Sequence, residues 1–264
     1  MWVIAKFDPS TTHNMTANTT HSTIATSSIL TRIDELLEQE AWKTSDELSQ
    51  PAKAAVSASI PDGLLPSLRA QLQAQFPTGI YRHQSLALEQ ILLGNDVALT
   101  TPTASGKSLV FITGALQILL QNPGAKVIAL YPMKALGNDQ FAKWQQAMVA
   151  SGLQVAVLDG DVPVKDREQF LENHQVLIMT PDVMHAWMMS NLHSPSVRRF
   201  REALRLVILD EAHVYDGVFG TSMAYLLRRL EACGPRFQLI ASSATIGHVD
   251  AFLSPRPRIP GSGG

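Results

Sequence analysis

The chain has 264 residues, a formal net charge of −2 and a single cysteine. One cysteine excludes a disulfide framework and a zinc site made of cysteines, and the balanced charge gives no basic field of the kind that free-standing nucleic-acid binders carry. Hydrophobic residues make up 45% of the chain, which suits one large domain with an extension. No apolar run is long enough to span a membrane, and we expect a cytoplasmic location, with association to the nucleoid as an alternative.

The N-terminal part of the chain predicts little that is compact. Residues 1–28 are rich in Thr, Ser and Asn, so we interpret them as a disordered tail, with Met15 as an alternative start. Helical patterns at 29–50 and Leu64–Phe76, joined by a linker rich in Pro, Ala and Ser, predict a helical extension over 29–76. We favour simple packing of these helices on the core over a role in binding a partner.

From residue 77 onward, short apolar strands alternate with helical segments. The predicted strands are Val97–Thr100, Lys126–Leu130, Val155–Leu158, Val176–Met179, Leu206–Leu209 and Gln238–Ala241. This alternation predicts an α/β domain over 77–253, with a parallel sheet covered by helices on both faces. Residues that follow such strands should meet at one edge of the sheet, where ligands bind. The segment 254–264, rich in Pro and Gly, is expected to be a disordered tail.

The segment Thr101–Ser108 follows the first of these strands and precedes an apolar helical stretch. A strand, a tight loop ending in Gly-Lys-Ser and a helix can cradle a triphosphate, because backbone N–H groups face the phosphate oxygens. Lys107, which we expect to face solvent, would lie on the β- and γ-phosphates, and the Ser108 hydroxyl would bind Mg²⁺. The expected nucleotide contacts are Thr103, Ala104, Ser105, Gly106, Lys107 and Ser108. A strand-to-helix turn that only happens to read Gly-Lys-Ser is the alternative.

Two adjacent carboxylates, Asp210 and Glu211, follow the apolar strand Leu206–Leu209. Asp210 can hold Mg²⁺ through water, and Glu211 can orient and deprotonate an attacking water. An acidic start to the next helix is the alternative, since both residue types favour that position. The phosphate loop upstream favours the catalytic interpretation, in which Lys107, Asp210 and Glu211 act together.

Motifs in this order resemble those of the superfamily-2 DEAD/DEAH-box helicases. They are Gly79–Gln84 (Q element), Thr101–Ser108 (motif I), Tyr131–Leu136 (Ia), Thr180–Asp182 (Ib), Asp210–His213 (II) and Ser243–Thr245 (III). The run from Asp210 to Gly220, with Arg228 and Arg229 beyond it, is similar to a bacterial and fungal branch of DEAH DNA helicases that usually carries a C-terminal cysteine cluster. The resemblance covers residues 60–250 and implies a RecA-like phosphate-loop lobe that binds ATP and Mg²⁺.

The resemblance also implies roles for further residues. Tyr81 would stack on the adenine ring and Gln84 would bind its edge, although a core aromatic and a helix N-terminal residue remain the alternatives. The residues expected to hold a sugar-phosphate backbone without reading bases are Lys134, Gly160 and Thr180. The residues expected to couple the nucleotide to the carboxylates are Ser243, Thr245 and His213.

Three other features have a structural interpretation. We interpret the basic run Arg198–Arg201 as a solvated helix face, and Cys233 as a packed or partly exposed thiol at a helix end rather than a nucleophile. The methionines Met184, Met188 and Met189 are expected to fill the core rather than to form a binding surface.

The chain departs from the family pattern after motif III. Such helicases need a second RecA-like lobe whose arginines reach the γ-phosphate, and residues 246–264 cannot form one. The sequence therefore predicts the first lobe of an ATP-dependent DNA helicase or translocase, cut short by a stop, a frameshift, a split gene or a chosen boundary. The alternatives are an RNA helicase lobe and an inactive fragment that only binds nucleotide.

Overall fold

The computed structural model describes residues 2–6, 56–101, 105–214 and 217–243, with backbone alone for 2–6, 213 and 217–221. The strands are β1 (Trp2–Lys6), β2 (Ser57–Ala58), β3 (Ile80–Tyr81), β4 (Asp96–Thr100), β5 (Lys126–Leu130), β6 (Val155–Val157), β7 (Val176–Met179), β8 (Leu204–Leu209) and β9 (Gln238–Ser243). The helices are α1 (Pro66–Gln75), α2 (Arg82–Leu92), α3 (Lys107–Gln121), α4 (Lys134–Val149), α5 (Val164–Asn173), α6 (Pro181–Ala186), α7 (Pro195–Ala203) and α8 (Gly217–Cys233). Short 3₁₀ turns cover Met188–Ser190 and Ala212–Val214.

A seven-stranded sheet organises the described part of the chain, in the order β1-β4-β9-β8-β5-β7-β6. Every pairing within it is parallel, while β2 and β3 form a separate antiparallel pair. The bounds of β5 and β7 match the predicted runs, and the other predicted strands overlap β4, β6, β8 and β9. The predicted parallel α/β fold is confirmed.

Two apolar clusters cover the two faces of this sheet. Side chains alternate between faces along a strand, so Val127 and Ala129 of β5 lie in one cluster and Ile128 and Leu130 in the other. Helices α1 to α4 contribute buried residues to the first cluster, and α5 to α8 contribute to the second. Burial on both faces explains why the strands are almost wholly apolar rather than alternating.

The first residues of the chain correct the prediction of a tail over 1–28. Trp2–Lys6 forms β1, which runs parallel to β4 with Trp2 opposite Asp96 and Lys6 opposite Thr100. The residues after Phe7 are rich in Thr, Ser and Asn, which led to the prediction of a tail. Trp2, Val3 and Ile4, however, are residue types that favour strands. The remaining tail residues, the predicted helix at 29–50 and the predicted tail at 254–264 lie outside the described residues.

The core of the lobe begins before the predicted boundary at residue 77. Ile60, Leu64, Leu68 and Leu72 are all buried in the same cluster as α2 and α3. Pro66 occupies the first turn of α1, where its fixed φ and missing N–H are tolerated. Residues 56–76 are therefore part of the lobe, and the expected packing of the segment Leu64–Phe76 on the core is confirmed.

The features given a structural interpretation behave as expected. Met184, Met188 and Met189 are buried in the second cluster. Arg198 and Arg199 are exposed on α7, where Arg199 pairs with Glu172 at 2.6 Å. Cys233 ends α8 as a half-buried thiol. None of the helices in the described residues is both long and apolar enough to cross a bilayer.

One buried hydrogen bond fastens α4 to the sheet. The indole Nε1 of Trp144 donates to the hydroxyl of Tyr131 at 3.0 Å, and both side chains are 1% exposed. Burial raises the pKa of the Tyr131 phenol, so the hydroxyl stays neutral at any physiological pH.

Replacing Tyr131 by Phe should destabilise the protein, because the buried indole N–H of Trp144 would lose its acceptor. A buried donor left without a partner costs about 1–3 kcal/mol, and we expect the free energy of unfolding to fall by that amount in urea titrations. The matched control is Tyr225→Phe, at a tyrosine that is 63% exposed, which should change stability little. Equal losses in the two variants would contradict the assignment.

Candidate functional site

The carboxyl ends of β4, β9, β8 and β5 lie side by side and form an edge that we call the rim. Thr100 pairs with Ser243, and Leu209 pairs with both Ala241 and Leu130. The N–H of Thr101 donates to the carbonyl of Ser243 at 3.2 Å, which connects the start of the phosphate loop to motif III. The described parts of motifs I, Ia, II and III therefore meet where the sequence predicts.

Lys107 is the first residue of α3, after Gly106 in a left-handed conformation (φ 78°). It is only 8% exposed, so the expectation that it faces solvent is wrong. Its Nζ lies 3.7 Å from Oε1 of Glu211 and has no hydrogen-bond partner in the described part of the chain. The start of α3 places the Lys107 side chain against Glu211 of motif II rather than toward solvent. A buried ammonium without an acceptor is costly, and a phosphate oxygen would relieve that cost.

Side chains from the start of α2 hold the phosphate loop. Gln84 is buried; its Oε1 accepts from the N–H of Tyr81 at 2.9 Å, and its Nε2 donates to the carbonyl of Gly106 at 3.0 Å. The Nε2 of His83 lies 3.1 Å from the carbonyl of Ser105. Gln84 thus occupies a helix N-terminal position, as in the alternative interpretation, and contacts motif I as well.

Tyr81 is 43% exposed and stacks on the ring of His83, with ring centroids 5.7 Å apart. It is therefore not a core aromatic, and its ring is available to a ligand. Burial lowers the pKa of His83, against a smaller opposing effect of its hydrogen bond to Ser105, so the imidazole is neutral at pH 7. In that form Nε2–H donates to the Ser105 carbonyl. His83 was not among the predicted site residues, because its contact with Ser105 depends on the tertiary structure.

Thr101 stands where the phosphate-loop pattern usually has its first glycine. It is buried, and its Oγ1 lies 2.6 Å from the Oγ of Ser105, so the departure from the pattern adds a hydrogen bond across the loop. The predicted contacts Thr103 and Ala104 lie outside the described residues.

The first motif II carboxylate, Asp210, is buried at the end of β8. Its Oδ1 accepts from the hydroxyl of Ser242 and from the N–H of Glu211, while Oδ2 makes no hydrogen bond within the described residues. The predicted contact with these carboxylates was Ser243, and the described contact with Asp210 is made by Ser242. Pairing of Leu209 with Ala241 explains the contact, because the next residues along the two strands are Asp210 and Ser242.

The second carboxylate, Glu211, has a positive φ of 50°, which is uncommon for a residue other than glycine. Two acceptors hold its N–H in this conformation: Oδ1 of Asp210 at 3.0 Å and Oγ of Ser242 at 3.3 Å. The backbone turn aims the Glu211 side chain toward Lys107. Strained residues that the surroundings hold in place concentrate at functional sites.

The residues predicted to bind Mg²⁺ fit a metal that is held mainly by phosphate and water. The Ser108 hydroxyl donates to Oε1 of Gln140 at 3.2 Å, which leaves its oxygen lone pairs for a ligand. Asp210 offers Oδ2. No group of three or more His, Cys, Asp or Glu in the described residues could hold a metal ion.

The three residues expected to hold a nucleic-acid backbone differ from one another in their contacts. Lys134 begins α4 and pairs with Asp159 at 3.1 Å and with Asp161. Gly160 lies between these acids, and a Cβ added to it would meet nothing within 4 Å. Thr180 caps α6, with its Oγ1 accepting from the N–H of Val183 at 3.5 Å.

Two predicted coupling residues have no described side chain. His213 lies in the 3₁₀ turn Ala212–Val214, where only its backbone is described, and Thr245 lies outside the described residues. For Ser243, the structure shows the carbonyl contact with Thr101.

A parallel α/β lobe with a lysine-bearing loop and two carboxylates on its rim defines a phosphate-loop NTPase lobe. Residues 81–252 match the family model described as DEAD/DEAH box helicase. The chain belongs to this family and forms its RecA-like lobe.

Three similar proteins illustrate the relationship. The uncharacterized ATP-dependent helicase MJ1574 of Methanocaldococcus jannaschii is 33% identical over 185 residues, which cover 66% of this chain and 27% of that protein. The ATP-dependent helicase HRQ1 of Saccharomyces cerevisiae is 33% identical over 176 residues, covering 63% and 16%. The crystal structure of the DUF1998 helicase MrfA bound to DNA and AMPPNP matches with a TM-score of 0.69 and 27% identity, covering 76% and 29%. The chain thus spans less than a third of each.

Replacing Lys107 by Ala should abolish stabilisation by nucleotide without lowering the melting temperature of the free protein. The buried ammonium is costly when no acceptor faces it, whereas ligand binding raises stability by about 2.7 kcal/mol at a hundred times the Kd. Thermal melts with and without Mg-ATP measure both effects. The control is Lys165→Ala, at an exposed lysine of α5. A nucleotide-induced shift that survives in Lys107→Ala would contradict the site.

Replacing Gly106 by Ala tests the contact between the loop and Gln84. A Cβ there would lie 2.4 Å from Nε2 of Gln84, in addition to the strain at φ 78°. Gly94→Ala is the matched control, because Gly94 has φ 75° and nothing within 4 Å of the added atom. Both should lose about 1–2 kcal/mol of stability from the backbone. Only Gly106→Ala should lose a further ~1 kcal/mol and bind Mg-ATP more weakly in calorimetry, because the Gln84 hydrogen bond breaks.

Proposed function

We propose that this chain is the ATP-binding lobe of an ATP-dependent DNA helicase or translocase, which couples ATP hydrolysis to movement along nucleic acid when it is joined to a second lobe. The observation that carries the proposal is the buried Nζ of Lys107, 3.7 Å from Glu211 and without a hydrogen-bond acceptor in the described residues. A triphosphate is the ligand that this loop geometry favours, because the N-terminus of α3 also directs its N–H groups toward it. Membership in the DEAD/DEAH box helicase family supports the same ligand.

Each residue of the rim has a role in this proposal. Lys107 binds the β- and γ-phosphate oxygens and leaves its long contact with Glu211. Glu211 orients the attacking water and accepts its proton. Asp210 and Ser108 would hold Mg²⁺, which would neutralise charge on the β- and γ-phosphates. The exposed ring of Tyr81 stacks on the base. Gln84 holds the phosphate loop against the start of α2 through its hydrogen bond to the Gly106 carbonyl.

We favour DNA over RNA as the nucleic acid. The MrfA structure that this chain resembles is described as bound to DNA, and several relatives are named DNA helicases. RNA is the alternative, because contacts to a sugar-phosphate backbone carry no base code.

A second RecA-like lobe completes the proposed enzyme. The described rim supplies a lysine and two carboxylates for catalysis, and a transferring phosphoryl group also needs a cation at its outer oxygens. In related phosphate-loop enzymes, an arginine in that position raises the rate by about 10³–10⁵. The matched part of MrfA is 29% of that chain, which leaves room there for such a lobe.

The chain alone should bind ATP and hydrolyse it hardly at all. Adding a second RecA-like lobe in trans should restore hydrolysis that single-stranded DNA stimulates, and Glu211→Gln should remove that gain. The measurement is a steady-state ATPase assay with and without DNA. The matched control is Glu89→Gln, which changes the same charge at an exposed position of α2.

Two outcomes would count against the proposal. If the chain binds no nucleotide at any concentration, Lys107 is not a phosphate-binding residue and the proposal is wrong. A turnover of about one per second or more by the chain alone, within the ordinary range of enzymes, would mean that no second lobe is needed. Stimulation by RNA but not by DNA would select the alternative substrate.

A further inference from the structure

The lysine expected to hold nucleic acid already has two partners within the chain. Nζ of Lys134 lies 3.1 Å from Oδ2 of Asp159 and also pairs with Oδ2 of Asp161. The hydrogen bonds to Asp161 and to Asp159 raise the pKa of Lys134, so the lysine keeps its charge at any physiological pH. In the described residues neither carboxylate pairs with another cation, and the three side chains together carry a net charge of −1.

These two acids belong to the loop between β6 and α5, and the loop has a defined shape. Oδ1 of Asp159 accepts from the N–H of Asp161 at 2.9 Å, which closes a tight turn around Gly160. Arg167, only 9% exposed, donates to the carbonyls of Val162 at 2.9 Å and Asp159 at 3.3 Å. These hydrogen bonds fix the shape of the loop and therefore hold Asp159 and Asp161 beside Lys134.

The exposure of the three side chains shows where a phosphate would enter. The Lys134 side chain is 44% exposed and that of Asp161 is 81% exposed, while that of Asp159 is only 12% exposed. A phosphate that approaches Lys134 from solvent thus meets Asp161 beside it. Like charges at contact distance repel, and exposed charges act mainly within a Debye length of about 10 Å at 0.1 M salt.

We propose that Asp161, supported by Asp159, competes with nucleic-acid phosphates for Lys134 and so keeps the grip of this lobe on the backbone weak. The proposal rests on the proposed function, and it names the residues that set its affinity for nucleic acid. Binding at Lys134 then exchanges one anion for another. A lobe that must release the backbone in each step gains from such an exchange, because a weaker contact dissociates faster.

The exchange has a distinct signature in salt dependence. A lysine that neutralises a phosphate of single-stranded DNA normally contributes about 0.7 to the slope of log K against log salt, through released counterions. When the phosphate displaces a carboxylate, the freed carboxylate attracts cations in turn, and the net release of cations is smaller. Lys134 should therefore add less to the slope in the natural chain and more once the acids are neutralised.

The test is binding of the full chain to a fluorescent single-stranded DNA of mixed sequence, measured by anisotropy over a range of salt concentrations. Asp161→Asn should raise the affinity by about threefold or more at low salt and steepen the slope by up to about 0.7. The double variant Asp159→Asn with Asp161→Asn should increase both effects, and Asn at 159 can still accept from the N–H of residue 161. Adding Lys134→Ala should cancel the gain.

The control is Glu168→Gln, which changes the net charge equally at an exposed position of α5 that has no ion pair with a described residue. If Asp161→Asn behaves like this control, or binds more weakly than the natural chain, the proposal is wrong while the proposed function stands. If no variant binds DNA or RNA at any salt concentration, both fail. If only the neutralised variants bind, the competition is stronger than expected and the proposal is supported.

Discussion

The burial of Lys107 is the constraint on which the rest of the rim depends. A desolvated ammonium is tolerated only near a negative charge, and here that charge is Glu211 at 3.7 Å. Glu211 in turn reaches Lys107 only because its backbone adopts a positive φ. That conformation is held by Asp210, which directly follows β8, and by Ser242 of the neighbouring strand β9. Motifs I and II are thus connected to the end of β9 by one chain of polar contacts.

Much of this arrangement could be predicted from the sequence, and the reason is the parallel sheet. Apolar runs such as Lys126–Leu130 and Val176–Met179 are long enough to be strands and lack the spacing of a helix. Once the strands are parallel, the residues that follow them must share one edge. The approach of Lys107, Asp210 and Glu211 to one another follows from that topology without knowledge of side-chain contacts.

What could not be predicted depends on strand register, on tertiary contacts and on local composition. The register of β8 against β9 places Ser242 beside Asp210, and a shift by one residue would have placed Ser243 there. The contacts of Gln84 and His83 with the phosphate loop join residues far apart in sequence, and no local pattern encodes them. The strand Trp2–Lys6 could not be predicted because polar residues follow it and because its pairing with β4 joins residues far apart in sequence.

The two lysines of the rim, Lys107 and Lys134, carry the same charge but differ in burial and in the number of carboxylates that they contact. Lys107 is 8% exposed and has one carboxylate at 3.7 Å and no hydrogen bond in the described residues, so an incoming phosphate gains a hydrogen bond to a desolvated cation. Lys134 is solvent-accessible and already bound to two carboxylates, so an incoming phosphate gains only the difference between two similar contacts. Coulombic attraction is several-fold stronger at the low dielectric of a buried site than in water. The two proposals together therefore predict strong anion binding at the phosphate loop and weak, reversible anion binding at Lys134.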